Sequence, residues 1–157
     1  MNINRFKNKE GIILLVEDNP ADQQLCLRAF QKGKTNARIF VVSDGQEAME
    51  FLLNRDSFSN PLEFPRPDLI LLDINMPRMD GKQVLKEIKA NPFLKVIPVV
   101  MLTTSDHEKD IMDSYNLGVN AYISKPVRNN DFVEVVEKLE EFWFSLSSLP
   151  PRNYVIV

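Results

Sequence analysis

Five residues that could act together chemically lie far apart in the sequence, each just after a short apolar run. Glu17 and Asp18 follow the first run, Asp73 the third, Thr103 the fourth and Lys125 the fifth. Three carboxylates at one place repel one another, each close pair by a few kcal/mol at an effective dielectric of about 20. A hard cation offsets that repulsion, and oxygen ligands without His or Cys suit Mg²⁺. If these residues meet, they therefore predict a magnesium site.

Lys125 and Thr103 provide the groups that an oxyanion needs. The lysine is a mobile point charge, and the threonine offers a hydroxyl donor. Together with a metal, they would stabilise a phosphoryl group attached to one carboxylate, whose oxygen is the nucleophile. Asp73 is the best candidate for this nucleophile because it follows its run alone. Glu17 and Asp18 are adjacent and better suited to holding metal.

Each of these residues also has an ordinary explanation when it is taken alone. An acidic residue after a strand is commonly a helix cap or a turn residue. The segment 103–105 resembles the start of a helix, and a single lysine is usually solvated. Their conjunction after four separate apolar runs is what favours a shared site.

The elements that must position these residues are indicated by five apolar runs that alternate with amphipathic stretches. The runs lie at 12–16, 37–42, 68–72, 97–102 and 121–123, and the stretches between them have helical spacing. Crossovers of this length require a parallel sheet with right-handed connections. The pattern predicts a doubly wound α/β fold of five βα units. Such a fold binds its ligands beyond the carboxyl ends of its strands.

Composition indicates a single soluble domain. The 157 residues are 44% hydrophobic and 26% charged, with a net charge of −3, which argues against a broad nucleic-acid or anionic-membrane surface. One cysteine excludes an intrachain disulfide, and no apolar run approaches the roughly 20 residues that span a bilayer. We expect a cytoplasmic protein with an N-terminal arm at 1–10, one domain at 11–147 and a tail at 148–157. After Leu146 too few residues remain for a further DNA-binding or catalytic module.

Local signals predict the helix ends and one irregular segment. Asn19 or Asp18 can cap the first helix. Asn129 or Asn130 is expected to cap the last helix, which should run to roughly residue 146. The proline-bearing segment 54–67 is longer than a usual connection, so we expect an exposed loop there.

Four motifs at matching separations resemble the receiver domain of two-component response regulators, over about residues 12–142. They are Glu17-Asp18-Asn19-Pro20, Leu71-Leu72-Asp73-Ile74-Asn75-Met76-Pro77 with Asp80-Gly81, Pro98-Val99-Val100-Met101-Leu102-Thr103, and Ala121-Tyr122-Ile123-Ser124-Lys125-Pro126. The resemblance implies a flavodoxin-like strand order, 2-1-3-4-5. It also implies that Asp73 accepts a phosphoryl group from a histidine kinase or a phosphotransfer histidine.

The same resemblance implies a ligand set for the metal. Glu17, Asp18 and the backbone carbonyl of Asn75 would arrange Mg²⁺ beside Asp73, directly or through water. Glu17 stands where Asp is common in the family, so a bridging water is expected there. Asn75 and Ser105 would flank the approach of the attacking water and influence the lifetime of the acyl phosphate.

The resemblance further implies how the signal leaves the site. Thr103 and Lys125 would contact the phosphoryl group, and Tyr122 would be the switch aromatic that turns inward when Thr103 moves. The Lys125–Pro126 peptide bond is usually cis in this family, and a sharp turn there would aim the lysine at the site.

Three further segments resemble a narrower group, the single-domain regulators that partner cyanobacterial and other bacterial phytochrome kinases. They are the proline-bearing loop before Asp68, Phe142-Trp143-Phe144, and Leu149-Pro150-Pro151-Arg152.

An excess of apolar side chains near the C-terminus suggests a protein interface. The last helix has a core face and, beyond it, further apolar residues. The expected core face is Phe132, Val136, Leu139, Trp143 and Leu146, which leaves Val133, Val135, Phe142 and Phe144. Ile111 and Tyr115 share one face of the fourth helix. Receiver domains often dimerise through helix 4, strand 5 and helix 5, so we expect a homodimer through Ile111, Tyr115, Phe142 and Trp143. The alternative is a monomer with a more apolar helix than usual.

Two other functions remain open from the residues alone. A phosphorylation-independent interaction module could use the same fold, although the intact set of site residues argues against it. Aspartate-nucleophile phosphatases have a similar site, but a second Asp typically follows their nucleophile two positions later, where this chain has Asn75. We therefore expect a signalling protein and not an enzyme. Nucleotide binding is excluded because no Gly-rich loop follows the first apolar run.

Overall fold

The computed structural model describes residues 10–32 and 36–152. The expected N-terminal arm lies almost entirely outside the described residues, as does the end of the tail after residue 152. The strands are β1 (Gly11–Val16), β2 (Ala37–Val42), β3 (Leu69–Leu72), β4 (Val99–Thr103) and β5 (Ala121–Ser124). The helices are α1 (Pro20–Lys32), α2 (Gly45–Leu52), α3 (Gly81–Ala90), α4 (Glu108–Asn116) and α5 (Asn129–Glu141).

All five strands are parallel and form one sheet in the order β2-β1-β3-β4-β5. The predicted fold class and strand order are confirmed. In the register, Val16 pairs with Leu72, and Leu72 pairs with Met101. Strands β1, β3 and β4 therefore end near one another, and the residues that follow them are brought to the same edge of the sheet.

The continuous apolar runs are explained by burial on both faces of the sheet. Every residue of β1 and β3 is buried. Alternate side chains point to opposite faces, so Leu14 and Ile70 pack with α2 and α3, whereas Ile13 and Leu71 pack with α1 and α5. Among residues 10–32 and 36–152, no helix is long and apolar enough to cross a bilayer.

Asn19 caps α1, one of the two residues predicted to do so. Its Oδ1 accepts the backbone N–H groups of Ala21 at 2.9 Å and Asp22 at 3.2 Å. The predicted cap of the last helix is wrong. Residue 128 occupies the cap position without a side-chain bond, and Asn129 is already the first residue of α5. The asparagines therefore lie one and two positions too late to cap it.

The last helix does not keep its α-helical spacing to its end. A π-helical segment, Phe142–Leu146, follows α5. The wider turn rotates the later side chains away from the stripe predicted with a period of 3.6 residues. As a result Leu146 is 72% exposed, and its predicted place in the core is wrong. Trp143 packs, half-buried, against the α1/α5 side of the core as predicted, and Phe144, which was not predicted to be there, packs against the same side.

The segment 54–67 is mostly exposed, but two phenylalanines anchor it. Phe58 and Phe64 pack on Phe51 of α2, with ring centroids 5.4 and 5.8 Å away, and against each other at 5.1 Å. The side-chain amide of Asn54 donates to the carbonyl oxygens of Phe58 and Phe64, both at 3.0 Å. The loop therefore covers part of the core.

Candidate metal and phosphoryl site

Three carboxylates meet at the carboxyl edge of the sheet. Glu17 and Asp18 follow β1, and Asp73 follows β3, with its N–H bonded to the Val16 carbonyl at 3.1 Å. One carboxylate oxygen from each of the three lies within 4.8 Å of the others. Glu17 and Asp73 are buried, and Asp18 is exposed. All three side chains offer oxygen ligands, and two of the three carboxylates are shielded from bulk water. The set therefore fits a hard divalent cation that keeps part of its water shell.

Lys125 places its ammonium close to two carboxylates of this cluster, those of Glu17 and Asp73. Its ammonium contacts the Glu17 carboxylate, lies 2.9 Å from Oδ2 of Asp22 and 3.8 Å from Oδ2 of Asp73, and its side chain is 4% exposed. Burial alone would lower the pKa of the Lys125 ammonium, but its three carboxylate neighbours together raise that pKa above its ordinary value. The lysine is therefore a permanent cation in the site.

Glu17 is held at both of its oxygens. Oε1 accepts the N–H of Asn19 at 3.0 Å, and Oε2 is bonded to Lys125. Burial raises the pKa of Glu17 to about 7; the bond to Lys125 opposes this increase, and the nearby charge of Asp73 adds to it. Burial therefore disfavours the charged form of Glu17, and a second cation beside it would favour that form.

Sequence reasoning missed Asp22 as a member of this cluster. Asp22 is in the first turn of α1, where an acidic residue is ordinarily explained by the helix dipole. The predicted cap at Asn19 was a signal that could have identified it. With Asn19 as the cap, α1 begins at residue 20 beside the end of β1, so its third residue, Asp22, can face the edge of the sheet. Its contact with Lys125 makes Asp22 a third anchor of the lysine.

The backbone beyond Asp73 turns back tightly on itself. Oδ1 of Asp73 accepts the N–H of Ile74 at 2.8 Å, and the N–H of Gly81 donates to the Ile74 carbonyl at 2.8 Å. A Cβ on Gly81 would stand 2.0 Å from the Asp73 carbonyl oxygen, so only glycine permits this approach. Asn75 lies in the resulting loop and is exposed.

Thr103 and Tyr122 are connected through Ser105. Thr103 is fully buried at the end of β4. Its Oγ1 accepts the N–H of Ser105 at 3.4 Å, and Tyr122 donates its hydroxyl to the Ser105 carbonyl at 2.8 Å. Thr103 and Tyr122 thus both bond to the backbone of Ser105.

The expectation of a cis bond between Lys125 and Pro126 is wrong, since no peptide bond among the described residues is cis. The Lys125 N–H instead donates to the Thr103 carbonyl at 2.6 Å. From this trans backbone, the long lysine side chain reaches the carboxylates without a reversal of the chain.

The four residues expected to form an interface lie on α4 and at the end of α5. Tyr115 is 48% exposed and Phe142 50% exposed, whereas Ile111 and Trp143 are half-buried. Phe142 and Trp143 meet edge to face at 5.1 Å and line a groove between α5 and β5. Of the remaining apolar residues of this region, Val133, Val135 and Phe144 are half-buried.

An open parallel sheet of this order, with acidic residues after β1 and β3, threonine ending β4 and lysine after β5, is the arrangement of a phosphoacceptor domain. The chain belongs to the response regulator receiver domain family, whose model matches residues 13–137. Aspartate phosphorylation is typical of this family, receiver domains bind a divalent metal, and they are generally non-enzymatic signalling modules.

Particular relatives are similar over nearly the whole chain. The response regulator Rcp1 of Synechocystis is 43% identical over 143 residues, which cover 91% of this chain and 95% of Rcp1. The probable methanogenesis regulatory protein FilR2 of Methanothrix harundinacea is 38% identical, covering 88% of this chain and 87% of FilR2.

Two solved structures extend the comparison to three dimensions. The phosphorylated cyanobacterial phytochrome response regulator RcpA is 45% identical, with a TM-score of 0.87 over 91% of this chain and 100% of RcpA. The Mn²⁺-bound form of Rcp1 is 42% identical, with a TM-score of 0.84 over 90% of this chain and 99% of Rcp1. The predicted resemblance to phytochrome response regulators is confirmed.

Proposed function

We propose that this response regulator receives a phosphoryl group on Asp73 from a histidine kinase. The observation that carries the proposal is the meeting of Glu17, Asp18 and Asp73 within 4.8 Å, with the Lys125 ammonium among them. Mg²⁺ is the proposed metal, held by these carboxylates and the backbone carbonyl of Asn75, directly or through water. The proposed receiver unit is 11–147, flanked by an arm at 1–10 and a tail at 148–157.

The proposed transfer is a displacement at phosphorus. A carboxylate oxygen of Asp73 forms the new P–O bond while the P–N bond to the donor histidine breaks, and the imidazole nitrogen retains the electron pair and takes up a proton. Lys125 and the hydroxyl of Thr103 donate hydrogen bonds to the phosphoryl oxygens. Bound Mg²⁺ would offset the charge on those oxygens as the group transfers.

The proposed signal is a shift between two arrangements of the β4–α4 region. The phosphoryl group on Asp73 would carry roughly two negative charges in place of the single charge of the carboxylate, and its oxygens would attract the Thr103 hydroxyl. The Ser105 N–H bonds to that hydroxyl, and Tyr122 bonds to the Ser105 carbonyl, so both follow. The size of the population shift is set by the difference in the interaction free energy of the phosphoryl group with the two states.

Protein contact is the proposed output. We propose that the face formed by α4, β5 and the end of α5, with Ile111, Tyr115, Phe142 and Trp143, joins two copies of the chain. A phytochrome-class kinase is the proposed donor, supported by the similarity to the phytochrome response regulator RcpA. The proposed location is the cytoplasm. With a net charge of −3, no nucleic-acid role is proposed.

Intact-mass analysis tests the proposal. The chain is incubated with Mg²⁺ and acetyl phosphate, a small acyl-phosphate donor. We expect wild type to gain the mass of one phosphoryl group, and Asp73→Asn or a chelator to abolish the gain. Asp80→Asn is the matched control, since asparagine preserves the α3 cap that Asp80 provides. Absence of labelling in wild type would favour the passive interaction module, and turnover of many phosphate esters would favour a phosphatase.

A further inference from the structure

The loop at residues 74–80, here called the acceptor loop, is closed at its base. Gly81 donates to the Ile74 carbonyl at 2.8 Å and packs directly on the Asp73 carbonyl. Inside the loop, the Met79 N–H donates to the Pro77 carbonyl at 2.8 Å. These bonds fix both ends of the loop, but they leave the position of its outer corner to contacts with the rest of the protein.

The outer corner is attached to the start of α2. Nε and Nη2 of Arg78 donate to the same oxygen, Oδ2 of Asp44, at 2.8 and 2.5 Å. The next residue of each segment is also paired: the Gly45 N–H donates to the Met79 carbonyl at 3.1 Å. A Cβ on Gly45 would stand 2.1 Å from that carbonyl oxygen. Asp44, the cap of α2, and Gly45, its first residue, thus bond to the consecutive loop residues 78 and 79.

Asp44 is itself rigidly held, which makes it an effective anchor. Its other oxygen, Oδ1, caps α2 by accepting the Glu47 N–H at 2.9 Å, and the residue is 7% exposed. The hydrogen bond to Asp44 is the main cause that raises the pKa of Arg78, and the charges of Asp44, Glu47 and Glu50 add to it. The arginine is therefore held by its own bonds and by the field of α2.

The backbone of Arg78 shows that the loop is constrained at this residue. Its φ is +65°, in the left-handed region that side chains other than glycine, asparagine and aspartate rarely adopt. Such a conformation persists only where surrounding contacts compensate for it. The two hydrogen bonds from the Arg78 side chain to Asp44 are contacts that can compensate for this backbone conformation.

We propose that Arg78 is a positioning residue for the metal site, acting through Asp44 to hold the acceptor loop where the Asn75 carbonyl can face the ion. The inference rests on the proposed function, because it assigns the loop carbonyl to Mg²⁺. Arg78 touches neither metal nor phosphoryl group in this scheme. Its effect is on metal affinity, as with other groups that orient the ligands of a metal.

Calorimetric titration with Mn²⁺ tests this role. We expect Arg78→Ala and Asp44→Asn each to weaken Mn²⁺ binding about tenfold, the low end for lost orienting partners. Asn at position 44 still caps α2, so that variant removes the ion pair and keeps the helix start. The double variant should bind no more weakly than either single variant, since both remove one interaction. Lys86→Ala, at an exposed position of α3, is the control and should bind as wild type does.

Two further measurements separate positioning from a structural defect. Phosphorylation of Arg78→Ala by acetyl phosphate should be slow at low Mg²⁺ and return to the wild-type rate at saturating Mg²⁺. Arg78→Gly, which tolerates the left-handed backbone but lacks the pair, should bind Mn²⁺ as weakly as Arg78→Ala. Wild-type affinity in Arg78→Gly or in Asp44→Asn, or additive losses in the double variant, would overturn the proposal. Failure of wild type to bind Mn²⁺ would instead overturn the proposed function.

Discussion

Lys125 offsets the negative charge of the site in the absence of metal. Its ammonium contacts Glu17 and lies 2.9 Å from Asp22 and 3.8 Å from Asp73. The ammonium is closer to the first two carboxylates than to the proposed acceptor, but it already lies near Asp73. A lysine between two sets of carboxylates can both stabilise the resting protein and contact the product.

Replacing this lysine should make the fold depend on metal. We expect Lys125→Met to lower the free energy of unfolding by about 3 kcal/mol without metal, because it leaves buried carboxylates without their cation. Added Mg²⁺ should stabilise the variant more than wild type. Thermal unfolding with and without Mg²⁺ measures both effects. Lys138→Met is the control, since Lys138 is exposed and its ion pair is with Glu134 on the same helix; equal stability of the two variants would contradict this account.

Predictability from sequence differs sharply between individual residues. Glu17, Asp18 and Asp73 could be grouped because each follows a strand, and strand ends share an edge in a parallel sheet. The Arg78–Asp44 pair could not, because it joins residues 34 positions apart through a left-handed arginine. No composition or periodicity indicates that backbone conformation.

Two phenylalanines give the 54–67 loop a structural role. Phe64 lies 5.8 Å from Phe51 and 6.2 Å from Phe40 between ring centroids. We expect Phe64→Ala to lower the free energy of unfolding by about 2 kcal/mol, less than a fully buried phenylalanine would cost. Phosphorylation of Asp73 should be unaffected. Urea unfolding provides the measurement.

Leu62→Ala in the same loop is the matched control. Leu62 is 90% exposed, so its loss should change the free energy of unfolding by no more than about 0.5 kcal/mol. A Phe64→Ala variant as stable as Leu62→Ala would show that the aromatic contacts do not stabilise the fold.

The start of α4 is tied to α3 by a network of charges. Lys82 lies 2.5 Å from Asp110 and 3.0 Å from Asp113, and Ser105 donates to Asp110 at 2.5 Å. Hydrogen bonds from Lys82 and Ser105 hold the pKa of Asp110 below its ordinary 3.8, and bonds from Lys109 and Lys82 do the same for Asp113. A carboxylate with a lowered pKa stabilises the fold above its unfolded-state pKa, and that contribution is lost as the pH falls through its folded-state pKa.

Lys82→Met should therefore lower the urea midpoint at pH 7, and its difference from wild type should shrink as the pH falls below about 4. Lys109→Met is the control, because Lys109 is 82% exposed and its ion pair with Asp113 lies within α4; its midpoint should change less. A Lys82→Met difference that is constant from pH 7 to pH 3 would exclude the carboxylates as its cause.

The positions of helices and strands could be predicted from the sequence where every residue of a strand is buried. They could not be predicted where an α-helix gives way to a π-helical turn. Every residue of β1 and β3 is buried, and the residues from 12 to 16 and from 69 to 72 are all apolar, a pattern typical of strands covered on both faces. The π-helical segment 142–146 has no such signal, because its sequence also fits an α-helical stripe. The misplacement of Leu146 follows from that assumption of a constant period.

At the scale of the whole molecule, the exposed aromatics suggest a second copy as a partner. Tyr115 and Phe142 are each about half exposed. We expect the wild-type chain to be a dimer in solution and either Tyr115→Ala or Phe142→Ala to shift it toward monomer, because each removes apolar area from the contact. Light scattering over a concentration series measures this.

Phe93→Ala is the control for that experiment. Phe93 is 74% exposed but lies between α3 and β4, outside the proposed face, and its loss should leave the dimer intact. A wild-type chain that is monomeric throughout the series, with and without phosphorylation, would refute the dimer.

We propose that oxygens from separate strands surround one divalent ion beside the acceptor aspartate. Anomalous diffraction from crystals grown with Mn²⁺ tests it directly. We expect one strong peak within bonding distance of carboxylate oxygens of Asp18 and Asp73 and of the Asn75 carbonyl oxygen, with the Lys125 ammonium nearby. Density only at exposed carboxylates elsewhere, or no peak at this edge of the sheet under saturating metal, would contradict the account.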